Sequence, residues 1–276
     1  MGSRKPLTTI KLKKMKQDGV PISMITAYDF PSAILAQEAG IDVILVGDSL
    51  GNVVLGYETT VPVTLDDIIY HTRAVTRAAT SCFVVADMPF MTYHGSIDTT
   101  LANVGRLMRE GLPQSVKMEG GKEIAATVAA CVQAGVPVMG HLGLTPQSVN
   151  QLGGYLVQGK NSAQAQKLIE DAKALEQAGA YAIVLELVTE SLAAYITEQL
   201  SIPTIGIGAS ASCDGQVLVF HDLLQYGAES QPKKMVKTYA NIGNEIRKGI
   251  SAYVQDVKSR QFPQKEHVFQ SEDWRD

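Results

Sequence analysis

Four short phrases constrain the fold of this chain more than any other feature: QEAGID around Gly40, REGLPQ around Gly111, VQAGVP around Gly135 and EQAGAY around Gly179. Each ends a stretch of helical composition with a glycine and passes at once into apolar residues. A glycine just past the last helical turn, followed by a buried strand, marks the return leg of a βαβ unit. Eight apolar runs separated mostly by helical segments predict parallel strands with helices between them. The count of eight favours a closed (β/α)8 TIM-type barrel over an open doubly wound sheet. The open sheet would want a glycine-rich fingerprint after its first strand, and ITAYDFPSA offers none.

The elements follow in order. Thr9 to Asp18 reads as an amphipathic helix closed by Gly19, and ISMITAYD as a strand ending at Tyr28 and Asp29. Pro31 to Ala39 is helical and leads into a strand over Ile41 to Val46. Thr64 with Asp67 three residues on is a capping box for a helix reaching Thr80. The strand CFVVADMP, a helix over Asp98 to Glu110, the strand SVKMEG and a helix over Lys122 to Ala134 come next. VPVMGHLGL, a helix over Ser162 to Ala178, YAIVLELV, a helix over Thr189 to Leu200, TIGIGAS and QVLVFHDLL complete the run. After Gln231 the sequence turns amphipathic and predicts one or more outer C-terminal helices. The whole of 1–276 reads as one barrel domain, with an N-terminal helix segment over 1–20 and a loose tail, or a subunit contact, over 261–276.

Composition excludes several classes of function. The formal net charge is −4, and no cluster of lysine and arginine is interleaved with aromatics, so nucleic acid is not an expected partner. The basic cluster Lys11 to Lys16 reads as a solvated helix face. No run approaches the roughly 20 apolar residues of a membrane helix, and the N-terminus lacks an apolar signal core, so the expected setting is cytoplasmic. Cys82, Cys131 and Cys213 are widely spaced, which speaks against a disulfide framework or a zinc site and makes them small core residues. His71, His94 and His221 show no ligand spacing either.

In a barrel the carboxyl ends of all eight strands meet at one face, so polar residues at those ends share a site although they are far apart in sequence. Those residues are Tyr28 and Asp29, Asp48 and Ser49, Asp87, Lys117 and Glu119, His141, Glu186, the GIGAS turn, and His221 and Asp222. Several carboxylates at one mouth repel one another unless a hard divalent cation joins them, held by one or two carboxylates with water and substrate filling its shell. Asp48 and Asp87 end the unbroken apolar runs VILVGD and FVVAD and are the leading metal ligands, although an Asp in such a place also serves as a turn cap. Glu119 completes the shell directly or through water, or else bonds the amides of Gly120 and Gly121. Lys117 lies two residues before Glu119, so both point inward, where an ammonium requires an anion. Glu186 interrupts IVLELV at interior parity, where burial would raise its pKa toward that of a general base. His141 is either a donor to a substrate oxygen or a satisfied core histidine. GIGAS resembles the anion-binding loops of other barrels.

Together these segments resemble one family, ketopantoate hydroxymethyltransferase. The resemblance is carried by ITAYDFPSA, VGDSLGNVVLGYETTVPVTLDDIIYHTRAV, VADMPFMTY, VKMEGG, PVMGHLGLTPQSVNQLGGYLVQGK, LELV, and IGIGAS with CDGQVLV, from about Met24 to Val219. It implies a (β/α)8 barrel, usually decameric, that binds Mg²⁺. The reaction it implies is transfer of a one-carbon unit from 5,10-methylenetetrahydrofolate to 3-methyl-2-oxobutanoate. On that resemblance Asp48 and Asp87 fall on metal-binding aspartates and Glu119 on a third metal-associated carboxylate. Ser49 and Lys117 fall on contacts to the α-keto acid, Glu186 on the proton acceptor and His141 on an active-site histidine. Gly47 and Gly51 become turns that bring backbone and ligand close. The chain departs from the family at Ser210, where glycine is usual, and at Ala211 and Ser212, which puts that loop's conformation in question. The alternative enzyme is a lyase or mutase of the related phosphoenolpyruvate and isocitrate lyase barrels. That reading expects a reactive cysteine loop or a phosphonate site, and HLGLTPQSV has no cysteine. A barrel kept as a bare scaffold would bind no Mg²⁺ and would have little use for interior Asp, Lys and Glu.

Overall fold

Eight parallel strands close on themselves in sequence order: β1 (Ile22–Thr26), β2 (Val43–Val46), β3 (Phe83–Asp87), β4 (Ser115–Glu119), β5 (Val138–Gly143), β6 (Ala182–Glu186), β7 (Thr204–Ile207) and β8 (Gly215–Val219), which returns to pair with β1. The (β/α)8 expectation is met. The computed structural model describes residues 6–227 and 233–271, with the side chain of residue 152 excepted. The first five residues of the expected N-terminal segment and the last five of the expected tail lie outside the described residues. Residues 1–220 form one compact unit and residues 221–276 a second.

β2, β3 and β4 are buried at every position, as strands covered by helices on one side and a packed interior on the other must be. Helices wrap them because their apolar residues recur at helical spacing. In the helix Leu65–Ala78 the buried positions are Leu65, Ile68, Ile69, Thr72, Val75 and Ala78, all on one face. Its start is the predicted capping box: Thr64 Oγ1 accepts from Asp67 N at 3.2 Å, and Asp67 Oδ2 accepts from Thr64 N at 2.9 Å.

Three of the four glycine stops behave as expected, with Gly40, Gly135 and Gly179 at φ 91°, 88° and 96°. The fourth differs. The helix Ile97–Gly111 includes its glycine, and the left-handed residue is the exposed Leu112 at φ 60°. Gly111 serves close packing instead, since a Cβ there would lie 3.0 Å from Thr72 Cγ2.

Other boundaries move for local reasons. Ile41 bonds back to Ala36 in the helix cap, so β2 begins at Val43. The segment Lys122 to Ala134 opens as a 3-10 turn, Lys122–Ile124, because Lys122 N donates to the Asp171 carboxylate at 3.1 Å, and the α-helix runs over Ala125–Gln133. QVLVFHDLL is not one strand: β8 stops at Val219 and Phe220–Leu224 is helical. Lys16, expected in water, is instead paired with Asp214 at 2.8 Å, both largely buried.

In the second unit a C-terminal helix is present as foreseen, over Ile242–Lys258, capped by Asn241 on Asn244 N. Phe262 lies edge-on to Tyr253 with ring centroids 5.7 Å apart, and a 3-10 turn follows at Lys265–His267. No described helix is long and apolar enough to cross a membrane.

Candidate active site

The barrel register sets the side chains of the site beside one another. Asp87 of β3 is level with Lys117 of β4, Glu119 of β4 with His141 of β5, and Gly143 of β5 with Glu186 of β6. Alternation along β4 turns Lys117 and Glu119 to the same inner face, as their spacing predicts. Lys117 Nζ lies 3.0 Å from Asp87 Oδ1, 3.9 Å from Glu119 Oε1 and 3.1 Å from His141 Nδ1. His141 Nδ1 lies 3.1 Å from Glu119 Oε1, and its Nε2 lies 3.2 Å from Glu186 Oε2. Asp87 Oδ2 accepts from the backbone N–H of Asp48 at 2.9 Å. Asp48, Asp87, Lys117, Glu119, His141 and Glu186 therefore form one connected set across five strand ends.

Burial and mutual charge act strongly here. Burial, reinforced by Asp87 and Glu119, pushes the Asp48 carboxyl well above its ordinary value. Burial also raises Asp87, against the pull of Lys117. Burial would raise Glu119 too, but His141 and Lys117 outweigh it and hold this carboxyl below its ordinary value. Burial works against the Lys117 ammonium, yet Asp87, Glu119 and Asp48 keep its pKa raised. For His141, burial and Lys117 act downward, while Glu119 and Glu186 outweigh them and push it up to about 9. In that charged form Nδ1–H is directed at Glu119, while Nε2 stands 3.2 Å from Glu186 Oε2 without forming a hydrogen bond. Glu186 differs from the expectation of a buried acid. Its side chain is 13% exposed against 3% for Glu119, which leaves it reachable from the mouth.

A hard divalent cation fits this donor set. Among the described residues, Asp48 Oδ1 has neither a hydrogen bond nor an ion pair, while the other oxygens of Asp48, Asp87 and Glu119 each have one. No three His, Cys, Asp or Glu side chains among the described residues form a ready-made cage. Mg²⁺ does not need one, because it keeps several waters and takes one or two carboxylates.

Around this set, Ser49 Oγ and the Tyr28 hydroxyl lie 2.8 Å apart. A Cβ at Gly47 would stand 3.1 Å from Ser49 Oγ and 3.4 Å from Asp87 Oδ2, so this glycine does border the site. Gly51 does not. Its missing Cβ would meet Val63 Cγ2 at 2.7 Å, which makes it a packing residue. Asp29 is likewise a helix cap, its carboxylate accepting from Ser32 N at 2.8 Å. His221 and Asp222 belong to the short helix after β8, where Asp222 pairs with Lys233 at 2.8 Å. Ser210 is absent from the positive-φ residues; its hydroxyl accepts from Ser212 N at 3.1 Å, a turn that a side chain supports without glycine. Glu119 bonds the backbone of Gln147 at 3.1 Å rather than the amides of Gly120 and Gly121.

Two residues of this site, Gln147 and Tyr93, carried no sequence signal of their own. Both are buried, and both reach Glu119.

The ketopantoate hydroxymethyltransferase family model matches residues 6–265. The chain belongs to the ketopantoate hydroxymethyltransferase family. A 3-methyl-2-oxobutanoate hydroxymethyltransferase of Carboxydothermus hydrogenoformans is 58% identical over 263 residues, 95% of each chain. One from Bacillus cereus is 57% identical over 256 residues, 93% of this chain and 92% of the relative. The expectation of a transferase enzyme is met by this membership in the ketopantoate hydroxymethyltransferases. Solved structures share the fold at much lower identity. A 2,3-dimethylmalate lyase aligns with a TM-score of 0.57 at 18% identity, over 95% of this chain and 93% of its own. A phosphonopyruvate hydrolase, solved with oxalate and Mg²⁺, aligns with 0.56 at 15%, over 95% and 93%.

Proposed function

We propose that this enzyme transfers a hydroxymethyl group from 5,10-methylenetetrahydrofolate to 3-methyl-2-oxobutanoate, giving 2-dehydropantoate (ketopantoate) and tetrahydrofolate, a step of pantothenate and coenzyme A biosynthesis. The observation that carries the reading is the connected set of Asp48, Asp87, Glu119 and Glu186 with Lys117 and His141 at the strand ends of a family member. Asp48 and Asp87, with Glu119 directly or through water, would hold Mg²⁺ or another hard divalent cation. When bound, the cation supplies positive charge where the keto oxygen gains negative charge as the C3 proton leaves.

The chain's own residues do the rest. Lys117 and Ser49 bind the carboxylate end of the keto acid and orient it. Glu186, the least buried of these acids, takes the C3 proton. The resulting enolate carbon forms a bond to the folate-borne methylene, the methylene–nitrogen bonds break, and water supplies the hydroxyl oxygen of the product. His141, lying against both Glu119 and Glu186, holds the base in place. The lyase or mutase alternative gains nothing from the cysteines, since Cys82, Cys131 and Cys213 are all buried and none lies on the loop after β5. A cytoplasmic homo-oligomer, a decamer by family resemblance, is part of the same proposal.

The test is proton NMR of 3-methyl-2-oxobutanoate in D₂O with enzyme and Mg²⁺. The C3 signal should disappear with the unsubstituted enzyme and persist with Glu186→Gln. Exchange at the normal rate in Glu186→Gln would show that another group is the base.

A further inference from the structure

Gln147 lies outside every strand, in the 3-10 turn Pro146–Ser148 after β5, and is 4% exposed. Its polar groups nevertheless reach the ends of three strands. The backbone N–H donates to Glu119 Oε2 at 3.1 Å. The side-chain Nε2 donates to Asp48 Oδ2 at 2.8 Å and to the Met88 carbonyl at 2.9 Å. Oε1 accepts from the Tyr93 hydroxyl at 2.8 Å.

The orientation of this amide is forced. Turned the other way, Oε1 would face a carboxylate and a carbonyl, both acceptors. Tyr93 is fixed by the same logic. Its oxygen accepts from Glu119 N at 3.0 Å, and its single proton has the choice of Gln147 Oε1 at 2.8 Å or the Glu119 carbonyl at 3.1 Å, the longer contact.

Any buried glutamine must be hydrogen-bonded. Gln147 goes further, because its two ionic partners are Asp48 and Glu119. By taking Asp48 Oδ2 it leaves Oδ1 as that residue's free oxygen, and by taking Glu119 Oε2 it leaves Oε1 toward Lys117 and His141. We propose that Gln147, held by Tyr93, is a positioning residue that aims the Asp48 and Glu119 carboxylates and so sets the affinity of the site for a divalent cation; this rests on the metal reading of the site. Outer partners that orient ligating carboxylates have this effect on metal affinity.

The experiment is calorimetric titration of Mg²⁺ and Mn²⁺, without organic substrates, into the full chain and into Gln147→Leu, Tyr93→Phe and the double variant, with melting curves recorded alongside. Gln147→Leu should weaken cation binding about tenfold, and Tyr93→Phe less, in the same direction. The double variant should lose less affinity than the two single losses combined, because part of the hydroxyl's effect passes through the amide. Cation affinity within about twofold of the parent in Gln147→Leu, or independent additive losses, would overturn the inference. If Gln147→Leu does not fold, Tyr93→Phe decides, and unchanged affinity there overturns it. No cation binding by the parent chain would remove the metal reading itself and this inference with it.

Discussion

The Lys117 ammonium and the Asp87 carboxylate meet at 3.0 Å with 4% and 3% of their side chains exposed, and they anchor the charge balance of the whole barrel mouth. Two further acids, Asp48 and Glu119, also raise the Lys117 pKa, so this one cation serves more than one anion.

Replacing Lys117 by methionine should therefore cost more than a surface ion pair would. The side chain is similar in length, but the carboxylates lose their fixed counter-charge. Breaking one partner out of a buried pair costs about 3–5 kcal/mol. The urea midpoint of Lys117→Met should fall by a corresponding amount, and added Mg²⁺ should recover part of it by binding the folded state alone. A midpoint equal to that of the parent, with or without Mg²⁺, would contradict this account of the mouth.

The legibility of the site follows from periodicity. Lys117, Glu119 and Glu186 lie on strands, where a period of two residues tells inside from outside, and Asp48 and Asp87 stand where apolar runs stop. Gln147 lies in a turn, has no periodic neighbours and meets Asp48 across 99 residues of sequence, a pairing no local pattern encodes. The eight-strand barrel was legible because helix stops and apolar runs alternate along the chain. The end of β8 was not, because VLVF continues apolar while the backbone changes from strand to helix at Phe220. Leu112 illustrates another gap: a glycine at the right place in the phrase was spent on packing against Thr72, and the left-handed turn fell to its neighbour.

Cys131 gives a pH dependence of stability away from the site. It sits fully buried in the helix Ala125–Gln133, and burial pushes its thiol from 9.0 up to about 11. Below about pH 9 the folded and unfolded chains both keep the proton, so this group makes no difference. Between about 9 and 11 the unfolded chain ionises while the folded one does not, and stability falls as pH rises. Denaturant midpoints at the two ends of this window should be further apart for the parent than for Cys131→Ala. A maleimide should label Cys131 slowly in the native protein and fast in urea; equal pH slopes for parent and variant would contradict the assignment.

Gly143 gives the last prediction, because its requirement for glycine is doubled. Its φ is +96°, a conformation that L side chains rarely adopt, and a Cβ there would stand 2.2 Å from the carbonyl oxygen of Glu186 and 2.6 Å from Val188 Cγ2. The obstacle is backbone, so no rotamer change relieves it. Beyond it the chain is constrained as well, with Leu187 at φ 47° and its N–H donating to the Ile207 carbonyl at 2.9 Å. Gly143→Ala must then push the end of β6 away from β5 and open the contact of 3.2 Å between His141 Nε2 and Glu186 Oε2. The variant should lose about 3 kcal/mol or more of stability, as strain at a special backbone position does. Among molecules that remain folded at low temperature, C3 proton exchange should fall by about 100-fold, since misplacement by about 1 Å costs that much. Gly95→Ala is the control, because a Cβ there meets nothing within 4 Å and should change neither quantity. Normal exchange in folded Gly143→Ala would separate Glu186 from the geometry that the β5–β6 junction imposes on it.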